Sequence, residues 1–243
     1  MGAARSGASA EALSAATGAS KAHSGRLRWA VNSARWLPEG GADGPEFQFL
    51  LSLVDAADAG QVRRFCFEED RKRALLSRLM ARQASARVLG LRDFADIRIA
   101  RTLGKKPYLK APRPSAELAN FNFNVSHEGD WVVLASEPLC VCGVDVAAPE
   151  ACRKGARTDV FDVFQEQLSP AEWAEVRRRA AEGPARPGAD PTYEAFQRHW
   201  SCKEAFVKAR GDGLGFEPLR RAEFSFGDGV ATVVVDGRPM PRW

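Results

Sequence analysis

The segment Trp200–Phe216, WSCKEAFVKARGDGLGF, restricts what this chain can fold into more than any other stretch. Trp200, Phe206 and Val207 give it an apolar flank that must pack on a core, while Lys203, Glu204 and Lys208 load the same helix with charge. Glu204 and Lys208 are four residues apart and share a helix face, a spacing that most often means a solvated ion pair. Earlier in the chain, Asp145 interrupts the apolar run VCGVDV between Val144 and Val146. Strand interiors disfavour aspartate, so Asp145 needs a partner or a metal, unless it caps a turn. Hard Mg²⁺ takes a few carboxylate oxygens together with substrate phosphates and water, and Asp145 with Glu204 supplies such a protein share.

The chain has 243 residues, enough for one large domain or two small ones. A net charge of +4 favours phosphates and acidic partners mildly and is too small to argue nucleic-acid binding. No apolar run approaches the roughly 20 residues that span a bilayer. Cys66, Cys140, Cys142, Cys152 and Cys202 form no CxxC pair and read as reduced packing residues of a cytosolic protein. Residues 1–25 are Ala, Ser and Gly with little else apolar, which reads as a disordered tail. Two sharper readings stand beside it: an organelle transit peptide, and myristoylation at MGAARS.

Ordered sequence starts at Leu27. RLRWAVNSARW alternates as a strand, and EFQFLLSLV is a strand or a short helix. Glu68–Leu89 has the pattern of a long basic amphipathic helix stopped by Gly90. IRIARTLGKKPYL reads as strand, turn, strand, and FNFNVSHEGDWVVLASE as a hairpin turning at Glu128–Gly129–Asp130. VCGVDVA is a further strand and Ala148–Thr158 a connector. Phe161–Leu168 and Ser169–Ala181 are helical, the second opened by a capping box of Ser169 and Glu172 with Pro170 between. After the loop EGPARPGADPT come a helix over Tyr193–Arg210 and strands at Arg221–Phe226 and Val230–Asp236. The order strand, helix, strands occurs twice, before and after about residue 140, which points to a two-lobed α+β fold.

Arg101, Lys105 and Lys106 surround a glycine in a turn, an arrangement that brings ammonium and backbone groups to a phosphate, or a solvent-facing basic turn. Ser126 and His127 end an alternating strand and can donate to phosphate oxygens, although a lone histidine is more often structural. Glu128 follows as a third metal ligand or a turn residue.

RTLGKKPYL, NVSHEGD, GVDV and WSCKEAFVK, in this order and at suitable spacing, resemble the motifs of the 4′-phosphopantetheinyl transferases, in particular the single-chain type. The resemblance runs from about Arg28 to Trp243. It implies two related lobes, each a small mostly antiparallel sheet packed with a long helix, with coenzyme A and Mg²⁺ between them. The lobes would be residues 26–140 and 141–243. By the same resemblance Asp145 and Glu204 bind Mg²⁺, and Glu204 and Lys208 are catalytic; Glu128, which stands where the single-chain type has glutamine, is the candidate for a third, acidic ligand. Coenzyme A would be held by Arg101, Thr102, Leu103, Gly104, Lys105 and Lys106, by Asn124, Val125, Ser126 and His127, and by Lys203.

The implied activity is transfer of 4′-phosphopantetheine from coenzyme A to a serine of an apo acyl, peptidyl or aminoadipate carrier protein, by a cytoplasmic monomer. A non-catalytic relative that binds coenzyme A or the carrier, and another Mg²⁺-dependent enzyme of phosphate esters, are the alternatives. Two departures stand out. Ala147 replaces the second acidic residue of bacterial members, and the second lobe stops before the family's last strand, which predicts an open sheet edge and marginal stability.

Overall fold

The structure, a computed structural model, describes residues 25–148, 160–183, 190–227 and 230–241. The N-terminal tail and nearly all of the Ala148–Thr158 connector lie outside these residues. The fold is α+β. Strands β1 (Leu27–Asn32), β4 (Asn122–Glu128) and β5 (Trp131–Glu137) form an antiparallel sheet in the order β1-β5-β4, with Leu134 of β5 opposite both Trp29 and Val125.

The segment EFQFLLSLV is helical: α1 (Pro45–Ser52) has proline in its first turn and buries Phe47 and Leu51, one helical turn apart. Asp55 caps α2 (Ala56–Arg63) through the amide of Asp58. Helix α3 (Glu68–Leu89) has Glu68, Glu69 and Asp70 in its first turn, suited to the helix dipole, and ends on the left-handed Gly90. One part of α3, Ala74 and Leu75, packs with Phe47, Leu51 and Val62. Met80 and Ala84 meet Leu27, Val132 and Leu134 of the sheet, while Ala81 and Val88 meet Phe121 and Phe123. The hairpin of β2 (Arg98–Arg101) and β3 (Pro107–Ala111) adds Ile99 and Leu109 to the last of these cores.

After residue 140 a second set of cores forms. The helix expected over Phe161–Leu168 is shorter, α4 (Val160–Phe164). The capping box is present at α5 (Pro170–Ala181): Ser169 and Glu172 each accept from the other's amide. Asp190 caps α6 (Pro191–Arg210). Leu168, Trp173 and Val176 bury against Ala195 and Phe196 of α6. Farther along α6, Phe206 and Val207 pack on Phe216, Leu219 and Phe224. Strands β6 (Ala222–Gly227), β7 (Val230–Val235) and β8 (Arg238–Pro239) form an antiparallel sheet in that order. The edge expected to stay open on β7 is therefore partly paired, since β8 folds back on Val234 and Val235. Among the described residues no helix is long and apolar enough to cross a membrane.

Candidate functional site

The segment VCGVDVA departs from expectation. Among the described residues it forms no backbone ladder, and together with the following Ala148 it is held instead by side chains of β4 at every second position. Asn122 Oδ1 accepts from the Cys142 amide (2.9 Å), Asn124 Oδ1 from Val144 (3.0 Å) and Glu128 Oε2 from Ala148 (2.9 Å). Ser126 Oγ donates to Asp145 Oδ1 (2.8 Å). Strand alternation puts these four polar residues on one face and Phe123 and Val125, which pack into the α3 core, on the other. A strand period read along 141–147 could not reveal this, because the pairing groups belong to another segment.

Asp145 is thereby carried to α6. Its Oδ1 lies 2.5 Å from Lys208 Nζ, and its Oδ2 accepts from Ser201 Oγ at 2.8 Å. Lys208 Nζ also donates to Ser126 Oγ (3.0 Å), so one ammonium joins β4, the Asp145 segment and α6. Ser201 had no place among the expected site residues. Its signal was its position on the Glu204 side of the helix.

Glu204 is half-buried and accepts no hydrogen bond from the described residues. Burial pushes its pKa up, Lys208 opposes this, and the neighbouring Asp145 charge adds to it.

Of these residues Glu204 and Lys208 border a cleft of about 510 Å³ between the two sets of cores, while Asp145, Ser126 and Ser201 sit behind its wall. Arg101, Gly104 and Lys105 of the basic turn, Asn124 and Val125 of β4, and Glu204 and Lys208 of α6 line it. Trp200, Val207, Phe216 and Leu219 make its apolar end. Gly104 seats the turn on the end of α6, for a Cβ there would lie 1.8 Å from the Gly211 carbonyl oxygen. Thr102 shapes the turn through its own backbone and hydroxyl, and Leu103 projects fully into solvent.

The two lysines of the turn differ. Lys105 is exposed, with the left-handed φ of 66°. Lys106 turns inward, its Nζ donating to the carbonyls of Ala209 (2.7 Å) and Cys142 (3.0 Å) and reaching Asn122 Oδ1 at 3.5 Å. Burial lowers its pKa. His127 stands exposed at the end of β4, and its pKa is held down by partial desolvation and by the charges of Arg73 and Lys208.

Of the expected coenzyme A contacts, Thr102, Leu103, Ser126, His127 and Lys203 lie outside the cleft wall, and Lys203 is the most deeply buried of them. It is buried in the core, paired with Glu172 at 2.8 Å and donating to the carbonyls of Leu219 and Ala222, and it is not part of the cleft wall.

Among the described residues no three His, Cys, Asp or Glu side chains converge as a complete metal cage. Mg²⁺ does not require one, because it keeps waters and substrate oxygens and takes one or two carboxylates. The donors fit it: Glu204 is half-buried without a hydrogen-bond donor, Asp145 already neutralises a cation, and the flanking groups are hard oxygens.

Comparison with known proteins accounts for both halves of this arrangement. A family model described as 4′-phosphopantetheinyl transferase, N-terminal, matches residues 34–139, and one described as the 4′-phosphopantetheinyl transferase superfamily matches residues 141–240. A phosphopantetheinyl transferase of Thraustochytrium sp. is 36% identical over 213 residues, covering 86% of this chain and 69% of the relative. The L-aminoadipate-semialdehyde dehydrogenase-phosphopantetheinyl transferase of Homo sapiens is 34% identical over 198 residues, 82% of this chain. The chain spans 60% of that relative's length. A 4′-phosphopantetheinyl transferase of Bacillus subtilis is 32% identical over 167 residues, 68% of this chain and 63% of the relative. With both halves matched in order and Ser126 of the first joined to Asp145 and Lys208 of the second, the chain belongs to the 4′-phosphopantetheinyl transferase superfamily.

Proposed function

We propose that this protein transfers 4′-phosphopantetheine from coenzyme A to the serine hydroxyl of an apo carrier protein and releases adenosine 3′,5′-bisphosphate. The observation that carries the reading is the contact of Asp145, Ser126 and Lys208 with one another, with Lys208 and the neighbouring Glu204 in the wall of a basic cleft. Asp145 and Glu204 would hold Mg²⁺, with Glu128 as a third ligand through Oε1, which receives no hydrogen bond from the described residues. When bound, the ion neutralises the pyrophosphate and stabilises charge that grows on it.

The carrier serine oxygen bonds to the phosphorus bearing the pantetheine arm, and the bond from that phosphorus to the bridging oxygen breaks. Glu204 takes the serine proton. Lys208 meets the charge appearing on the departing bisphosphate. Arg101 and Lys105 of the cleft wall, joined by His127 outside it, bind the nucleotide phosphates, and the apolar end of the cleft takes the less polar part of the substrate.

The cores before and after residue 140 share no members, which supports lobes at 26–140 and 141–243. We assign the protein to the cytoplasm, as a monomer acting on carrier domains. Intact-mass measurement of several apo carriers incubated with protein, coenzyme A and Mg²⁺ tests the activity. A phosphopantetheine mass gain on the carrier serine is expected. Tight coenzyme A binding with no gain on any carrier overturns it.

A further inference from the structure

The core side of α6 carries a buried polar cluster that the proposed chemistry does not use. Glu172 and Lys203 are each 1% exposed, and so is His199, whose ring nitrogens have no hydrogen-bond partner among the described residues and lie no nearer than 3.8 Å to Glu172. The Glu172 carboxylate accepts from the amides of Ser169 (2.7 Å) and Phe224 (2.8 Å) and pairs with Lys203 Nζ (2.8 Å). Lys203 then donates to Leu219 and Ala222, at the entry to β6. One ion pair thus joins the start of α5, the start of β6 and the middle of α6.

Its place around the helix matters. At about 100° per residue, Glu204 lies about 100° from Lys203, Lys208 about 140° and Ser201 about 160°. The three residues that meet or neighbour Asp145 therefore occupy the face turned away from the buried pair. An apolar helix face tolerates small rotations, because dispersion contacts have no direction. A buried, fully hydrogen-bonded charge does not, because any rotation leaves it unpaired in a low-dielectric interior.

We propose that Glu172, acting through Lys203, is a positioning residue that sets the rotation of α6 and so aims Glu204 and Lys208 at the Asp145 centre. This rests on the transferase reading of that centre. Replacing the pair by methionines of similar volume keeps the packing and removes the directional lock.

The test compares the full chain with the double variant Glu172→Met, Lys203→Met by thermal melting, by steady-state kinetics, and by Mn²⁺ binding followed by electron paramagnetic resonance without coenzyme A. The variant is expected to fold, to keep the coenzyme A KM within about twofold, to lose about 100-fold in kcat as misplaced groups do, and to bind Mn²⁺ about 10-fold more weakly. A folded variant with wild-type kcat and Mn²⁺ affinity overturns the proposal.

Should the double variant not fold, Glu172→Asp decides. Shortened by one methylene, it cannot reach Ser169, Phe224 and Lys203 together, so kcat should fall at unchanged KM, and wild-type kcat overturns the proposal. Wild-type protein that modifies no carrier sinks the transferase reading alone, since the Mn²⁺ comparison still decides the positioning role. Wild-type protein that binds no Mn²⁺ overturns the positioning role as well.

Discussion

Gly143 lies so close to α6 that a Cβ on it would stand 2.0 Å from the carbonyl oxygen of Ala205. That contact brings Asp145, two residues on, within reach of Ser201 and Lys208. The glycine of GVDV is thus a spacing device between a metal-ligand candidate and the helix that carries the other.

Gly143→Ala should therefore cost about 1–3 kcal/mol, as overpacking against rigid backbone does. The Cβ would also lie 2.5 Å from the Ala209 nitrogen, so the segment rather than a side chain must give way. Urea unfolding should show the loss. Activity should fall beyond what the unfolded fraction explains, and a variant of wild-type stability and rate would mean that the segment slides freely on α6.

The two lysines of the basic turn should separate. Lys105→Asn, chosen because asparagine tolerates the φ of 66°, should leave the melting temperature unchanged and raise the KM for coenzyme A. Lys106→Met should instead destabilise the fold by about 1–3 kcal/mol, leaving buried acceptors at Ala209 and Cys142 without their donor. Reversed effects would exchange the binding and structural roles.

At the proposed metal centre, Asp145→Ala should lower activity by at least about 10–100-fold and raise the Mg²⁺ needed for half-maximal rate. Lys208→Ala should lower kcat more than it weakens coenzyme A binding, since its charge is needed as the leaving group departs. Calorimetric coenzyme A titration beside single-turnover kinetics separates the two. Near wild-type rates for Asp145→Ala at limiting Mg²⁺ would remove the metal assignment.

Acid stability should depend on Glu172. Burial alone would raise its pKa, but the Lys203 charge and hydrogen bond and the Phe224 amide bring it below the ordinary 4.5. A carboxylate whose folded pKa is depressed stabilises the native state above its unfolded pKa, and that stability is lost as pH falls through the lower folded value. Denaturant unfolding between pH 7 and pH 3 should show wild-type stability falling below about pH 4.5. Glu172→Gln should be weaker at pH 7 by about 3–5 kcal/mol, the cost of leaving Lys203 buried without its counter-ion. Its acid limb should be flatter, and parallel limbs would mean that Glu172 does not control it.

The amino-acid sequence by itself determined α3, the capped α5, α6 and the β4–β5 hairpin, because periodicity, caps and turns act over a few residues. It also marked Asp145 as a charge in an apolar run that needed a partner, whereas the Glu204–Lys208 spacing read first as a solvated pair and Lys208 is paired with Asp145 instead. What it did not determine was which partners. EFQFLLSLV fitted two periods until packing on Val62 and Leu75 selected the helix. VCGVDVA had the pattern of a strand, yet its amides are taken by Asn122, Asn124 and Glu128. Lys203 and Lys208 belong to one helix, but one is closed in by Glu172 and the other reaches Ser126, 82 residues away in sequence. A side chain's chemistry is local, whereas its hydrogen-bond partners and dielectric surroundings are set by distant segments that meet only in the folded chain.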